Sequence, residues 1–526
     1  MSHPQDDDTV SMIPPAAFRR RDALGLIGLA FGATLGVPAF AQPAPKKGGV
    51  LKVAYPANPS SLDPCTGGAG TDHAILWTMY DTLVEWDYAT LKPKPGMAEW
   101  SFPDGNTMLL NIKAGIKFHD GTPCDAEAVK WNIDRNRGDA TSNLKADLAS
   151  ITASAVVSPT QVRLTLSQPD AALPAILSDR AGMMVSPTAQ KAATGNEFNR
   201  KPVGAGPWKF VSWADNQKVV VTRHTEYWRP GMPYLDGIEF AIIPELATGL
   251  RSVVSKQNDF AYQLSARFKP IVLREKALKL VSGPTLYCLQ LYMNFSRAPL
   301  NNIKLRQAIN YALDRDLYVK ATLEGAGEPA RMNLPSTHWA YDKSVAGMYP
   351  HNLAKAKALM AEAGLSGGID ITCGNYTDQD SVRRGEIVME QLGKIGIRVK
   401  YTSGTIPEIS GQFFGNEKKF DMLLSAWTGR PDPSMSYSLM YAKDAYYNAG
   451  RSEFSPELSA LLQESRSKED LEFRKGVFAK IQRLVMENAL VAPLAFQFEL
   501  DALAGSVQGY APNLLGKPKF NNISQS

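Results

Sequence analysis

Histidine is scarce in this sequence. There are six in 526 residues, and no two stand three or four positions apart. That spacing denies the chain a pair of imidazoles on one helix face, the usual local start of a metal site. Cysteine is scarcer still, with Cys65, Cys124, Cys288 and Cys373 and no C-x-x-C pair, which removes zinc-ribbon and thioredoxin-type chemistry. In an oxidising compartment the four would form two bridges at most; free, buried thiols are the alternative. Charge of one sign is lacking too, since 57 Lys and Arg face 52 Asp and Glu, scattered through the chain. No basic run is interleaved with aromatics, so nucleic acid is not an expected partner. No G-x-x-x-x-G-K-[ST] and no G-x-G-x-x-G opening a helix is present, which leaves out the common phosphate cradles.

Long apolar runs are missing as well. The apolar stretch near the start, Ala23 to Val37, is shorter than the roughly 20 residues a membrane span needs. Arg19, Arg20 and Arg21 precede it and Ala39-Phe40-Ala41 follows, an A-x-A site before Gln42. Residues 1–41 are therefore expected to be an export signal of the twin-arginine type, cleaved near Ala41-Gln42, with the mature protein in the periplasm. Removing them leaves 54 basic against 48 acidic residues, a net charge of +6.

A chain of this length exceeds what one core holds, so two or three lobes are expected. Its 44% hydrophobic content suffices for folded cores. Strand patterns (Gly49 to Ala54, two strands around Ser158-Pro159, Lys218 to Arg223, Gly237 to Ile243) mix with helical stripes. Leu305, Ile309, Ala312 and Leu313 share one helix face. Leu353 to Ala363 reads as a helix capped at Gly364, and Phe473, Val477, Ile481, Leu484 and Val485 line a long late one. Strands alternating with helices predict an α/β protein with mixed sheets.

Several segments, in order, resemble one family: Gly48-Gly49-Val50-Leu51, Leu62-Asp63-Pro64, Tyr80 to Val84, Pro95 to Trp100, Ile116 to Pro123 and Asp125 to Val129. Pro202 to Trp208, Glu226 to Arg229, Leu305 to Ala312 and Ala361 to Gly364 continue the series. The chain resembles the extracytoplasmic solute-binding proteins of peptide/nickel-type ABC importers. The resemblance implies a two-lobed periplasmic-binding-protein fold, of the large type II form with three subdomains and a ligand cleft between the lobes. It places the lobe I core at 48–84, 203–288 and 495–526, an inserted subdomain at 85–202, and lobe II at 289–494. It further implies a monomer that captures a small ligand by hinge closure and delivers it to an inner-membrane permease. No catalysis, cofactor or metal is expected. Within the segments, His119 reads as a turn hydrogen-bonder rather than a ligand.

The run Phe420 to Ser434 is the most informative about the site. Met422 to Ala426 reads as a buried strand ending in Trp427, and a Gly/Pro-rich loop after a strand end puts side chains at a cleft mouth. The resemblance implies an acidic residue in this loop in peptide binders; here Arg430 follows Trp427-Thr428-Gly429. An arginine fork suits a carboxylate or phosphate. The expected ligand is therefore anionic, with Arg430 as anchor, Trp427 as wall, Thr428, Gly429 and Asp432 beside it, and Cys65, Thr66 and Gly67 from the loop after Asp63-Pro64. Two other readings stay open. Arg430 holds its loop through a salt bridge with a neighbouring acid, or Asp432 serves only the turn. Peptide capture in the same cleft, a metal complex held through its carboxylates and a secreted hydrolase with dispersed carboxylates are the competing functions.

Overall fold

The computed structural model describes residues 45–526; the expected export segment, 1–41, lies outside the described residues. Among the described residues, no helix is long and apolar enough to cross a membrane. Two large mixed sheets organise them, as the alternation of strands and helices leads one to expect.

The first has seven strands, in the order Leu278–Gly283, Glu499–Ala504, Phe260–Ala261, Val50–Tyr55, Gly237–Ile242, Lys218–Arg223 and Trp208–Ala214. Lys218–Arg223 shows why the pattern folds so: alternate residues Val219 and Val221 go to the core while their neighbours stay at least partly exposed. The second has six, in the order Gly327–Pro329, Val491–Gln497, Cys288–Met293, Met422–Trp427, Ile369–Tyr376 and Ile397–Gly404. Cys288–Met293 lies between two partners and under helices, and every residue in it is buried. A separate antiparallel sheet, Ala98–Asp104, Thr107–Ile112, Gln161–Leu166 and Ile151–Ser158, packs on the helix Ala126–Gly138. Asp125 caps that helix, accepting from the backbone N–H of Ala128.

The chain leaves the seven-stranded sheet after Gly283 and enters the six-stranded one at Cys288; it returns between Gln497 and Glu499. The two passages are tied together. Thr285 Oγ1 donates to the Gln497 carbonyl at 2.7 Å, and the Gln497 N–H donates to the Tyr287 carbonyl at 3.0 Å.

The segments that carry the family resemblance meet in space and mostly serve the scaffold. His119 Nε2 lies 3.0 Å from the Gly206 carbonyl, and the Gly204 N–H donates to its Nδ1 at 3.3 Å, so one tautomer satisfies both. Burial pushes the His119 imidazole down to about 3, which keeps it neutral. Asp81 accepts from the Tyr227 hydroxyl at 2.7 Å and from Trp228 Nε1 at 2.6 Å. Arg315, 1% exposed, donates to the carbonyls of Pro493 and Asn310 and to Asn310 Oδ1, pinning the helix Ile303–Ala312 to the strand Val491–Gln497. All four cysteines are buried and free, which decides between the two sequence alternatives.

Candidate functional site

A cavity of about 530 Å³ is walled by segments that flank both large sheets. Its walls come from the loop after Asp63-Pro64, the stretches around Asp147 and Asp179-Arg180, the loop after Trp427, and the coil around Lys517.

Arg430 reaches it from the end of the strand Met422–Trp427. The turn that aims it depends on Gly429, whose φ is +72° and where a Cβ would sit 2.2 Å from Leu286 Cβ. The Arg430 guanidinium rests 5.1 Å from the centre of the Trp427 ring. Its Nη1 donates to the Gly429 carbonyl at 2.8 Å and to Thr428 Oγ1 at 3.3 Å. Among the described residues, no carboxylate oxygen comes within 4 Å of it, so the reading of Arg430 as one half of a loop-holding salt bridge is not what the structure has.

Other charges line the same space. His73 Nε2 sits 2.6 Å from Asp179 Oδ1, and Lys517 Nζ lies 3.4 Å from His73 Nδ1. Burial raises the Asp179 carboxyl, but His73, Lys517 and Arg180 together hold it well below the usual carboxylate range. Burial brings the Lys517 ammonium down to about 8, against the pull of Asp179 and with a push from Arg430 and Arg180. Burial also raises Asp147, an effect that the field of Arg430 partly offsets. Arg180, Arg430 and Lys517 thus face Asp147 and Asp179, an excess of positive charge around an open space.

The expected site residues divide. Thr428, Gly429 and Arg430 line the cavity. Trp427 does not: it is 3% exposed, donates from Nε1 to Ser436 Oγ at 3.0 Å, and acts as the floor beneath Arg430. Asp432 does not either. It is 2% exposed, caps the helix Pro433–Tyr441 through the Ser434 N–H, gives both carboxylate oxygens to Arg474, and does not line the cavity. Cys65, Thr66 and Gly67 stand just before the lining residues Gly68, Gly70 and Thr71. They are taken up inside the loop: the Cys65 N–H by Asp63 at 3.0 Å, the Thr66 carbonyl by Asn143 at 2.8 Å, and the Gly67 carbonyl by Arg180.

Sequence reasoning missed Asp147, Asp179, Arg180, His73 and Lys517, which are brought together from four distant stretches. Only Gly516-Lys517-Pro518-Lys519, basic residues in a stiff coil, offered a local signal. One motif passed over was Gly364-Leu365-Ser366-Gly367-Gly368, which fits the G-x-S-x-G spacing of a nucleophile elbow. It leads from the helix Leu353–Glu362 to the strand Ile369–Tyr376, the reverse of the strand-to-helix turn an elbow needs, and Ser366 is simply exposed. Among the described residues, no group of three or more His, Cys, Asp or Glu is placed to hold a metal ion.

A family model described as bacterial extracellular solute-binding proteins, family 5, middle, matches residues 92–448. The glutathione-binding protein GsiB of Shigella flexneri is 30% identical over 395 residues, 73% of this chain and 76% of that protein. Among solved structures, the periplasmic binding protein DppA from Helicobacter pylori, in complex with the peptide STSA, superposes with a TM-score of 0.78 at 24% identity, covering 91% of this chain and 98% of the other. The binding protein AgaA from A. tumefaciens R10, in complex with agropinic acid, gives 0.76 at 22% identity, covering 91% and 99%.

Proposed function

Because the chain belongs to the bacterial extracellular solute-binding proteins of family 5, we propose that its cavity takes a small solute bearing a carboxylate or another anionic group, anchored on Arg430. As a member of that family it is the substrate-binding component of an ABC importer, which delivers a small ligand or peptide to a membrane permease. The observation that carries the anionic reading is Arg430 itself: a guanidinium held over Trp427 at the wall of a 530 Å³ cavity, with Nε and Nη2 still free to donate as a fork. Arg180 and Lys517 add to the same field.

In this reading the two large sheets are the cores of two lobes that hinge at the passages around Thr285-Tyr287 and Gln497. A ligand touching Gly70 and Asp179 on one side and Thr428 and Arg430 on the other makes its full set of contacts only when the lobes are closed. That difference is what shifts the equilibrium. The protein works in the periplasm as a monomer, and it releases its ligand chemically unchanged. Capture of a di- or oligopeptide, or of a glutathione-like molecule as in the curated relatives, is the second reading. Asp147 and Asp179 favour it, since a peptide also brings an ammonium. Native mass spectrometry of protein purified without denaturation tests both. The expected result is a bound, intact species carrying at least one acidic group; a neutral or purely cationic ligand sinks the first reading.

A further inference from the structure

A non-covalent seam joins the four-stranded sheet to helices that pack on the six-stranded one, apart from the covalent passages at Thr285-Tyr287 and Gln497. Asp170, 1% exposed, comes just after the strand Gln161–Leu166, and Arg466 just after the helix Pro456–Glu464. Arg466 sets its Nε 2.8 Å from Asp170 Oδ1 and its Nη2 2.6 Å from Oδ2, a two-pronged grip. The backbone repeats the join: the Ala171 N–H donates to the Arg466 carbonyl at 2.8 Å, and Arg474 Nη1 donates to the Ala171 carbonyl at 3.4 Å. Trp100, on the same sheet, donates from Nε1 to Glu469 Oε1 at 2.9 Å. Apolar packing crosses the seam as well. Met435, of the helix Pro433–Tyr441, enters the core cluster of the four-stranded sheet, whose other buried members all fall between Leu83 and Ala205.

Each side of the seam stands one step behind the wall of the main cavity. Asp170 accepts from the Ala172 N–H at 3.1 Å, at the start of the helix Leu173–Ile176, and Ile176 lines the cavity. Opposite, Arg474 holds Asp432, which caps the helix bearing the lining residues Met435 and Leu439. Asp170, Arg466 and Arg474 do not line the cavity themselves. The pair is also built to part. When the guanidinium leaves, Asp170 keeps Ser150 Oγ at 2.5 Å and the Ala172 N–H, while Arg466, a quarter exposed, has water within reach. Parting therefore avoids the bare buried charge that makes breaking such pairs so costly. Ser265 Oγ, 2.8 Å from Asp380 Oδ2, and Arg267, against Gln379, also bridge the regions of the two large sheets. Those contacts are more exposed, and water competes there for the same donors.

We propose that Asp170 and Arg466 are positioning residues for solute capture: a latch that touches no ligand, holds the cavity walls together and sets how long a bound solute stays. The proposal rests on the reading of the main cavity as the solute site and of the two passages as its hinge. The ion pair forms only when the lobes of that reading are shut. Its free energy therefore favours the shut state whatever the ligand, and raises the fraction of free protein that is already shut. A contribution common to every ligand changes affinity and leaves selectivity alone. Arg430 selects; the Asp170–Arg466 pair retains.

Small-angle X-ray scattering of ligand-stripped protein reads the first consequence, and stopped-flow release of glutathione and of glutarate, followed by tryptophan fluorescence, reads the second. Arg466→Ala and Asp170→Asn should each enlarge the radius of gyration of the free protein. Each should also speed release of both probes by about tenfold, by the same factor for the two. Arg466→Lys, which keeps the charge and loses the fork, should recover part of both effects. The double variant should be no worse than either single one, a coupling that two unrelated structural losses would not show. A radius of gyration that stays at the wild-type value, or release rates that do, overturns the latch and leaves the Arg430 reading standing. Unequal acceleration of the two probes makes the pair a ligand contact and overturns the proposal as well. If neither probe binds the wild-type protein, the anionic reading of the main cavity falls, and the scattering alone decides whether the pair holds the cavity shut.

Discussion

Arg474 grips both carboxylate oxygens of Asp432, at 2.7 and 2.8 Å, with both side chains nearly sealed from solvent. The pair ties the long helix Leu471–Glu487 to the cap of Pro433–Tyr441, directly behind the loop that carries Arg430. Removing one partner leaves an uncompensated buried charge. Asp432→Ala should therefore lower stability by about 3 to 5 kcal/mol, read as a shift in the urea midpoint with an unchanged slope. Burial raises the Asp432 carboxyl but Arg474 more than offsets it, so its value in the fold lies below the ordinary one. The stabilisation is then present above the unfolded-state value near 4 and disappears as the pH falls below it. The wild-type and Asp432→Ala stability curves should therefore lie apart above that value and converge as the pH falls below it.

Arg430 makes only local contacts, and its loss should cost the free protein about 0.5 kcal/mol or less. Ligand-induced thermal stabilisation should disappear in Arg430→Ala and return in part in Arg430→Lys, which keeps the charge and loses the fork. An unchanged melting shift in the alanine variant removes Arg430 from the site.

Gly429 is held at positive φ against Leu286. Gly429→Ala should cost about 1 to 3 kcal/mol and displace the loop. Affinity should fall along with stability, separating this variant from Arg430→Ala. Ligand titration beside a urea melt checks it.

The Glu499–Asp501 pair gives a pH dependence of the opposite sign. An unfolded aspartate loses its proton at about pH 4, whereas Asp501 in the fold holds it to about 6. Between those values the folded state carries the extra proton, so this pair makes stability fall as the pH rises. The double variant Glu499→Gln, Asp501→Asn should flatten the wild-type decline across that interval, measured as urea midpoints at a series of pH values.

Free thiols make a simple count. A thiol reagent should find four groups per chain after unfolding and essentially none before, with melting unaffected by reductant. Fewer than four in the unfolded chain would mean a bridge.

Much of the scaffold was legible because it is written locally. Lys218–Arg223 alternates cleanly, Leu353–Glu362 stops at Gly364 with φ +77°, and the stripe from Phe473 to Val485 lies on one helix. The loop after Trp427 was legible too, since a buried strand followed by Gly and Pro must end at a surface. What stayed hidden depends on partners far along the chain. Asp432 looks like any turn aspartate until Arg474, forty-two positions on, takes both its oxygens. Glu499 sits in a stretch that reads as an ordinary strand; only the fold shows that its carboxyl has nowhere to meet water. Lys517 reaches His73 across 444 positions, a separation no sequence window spans.

The strand Glu499–Ala504 lies between Leu278–Gly283 and Phe260–Ala261, well inside a sheet whose other members come from the first 283 residues. During synthesis that sheet therefore waits, with one strand missing between Leu278–Gly283 and Phe260–Ala261, until nearly the whole polypeptide has been made. Closing so long a loop is slow, and an unfilled ladder is open to mispairing meanwhile. The last-made strand thus sets the moment at which this protein becomes a stable particle, and a chain stopped short of residue 499 should remain prey to proteases however well its second sheet has formed.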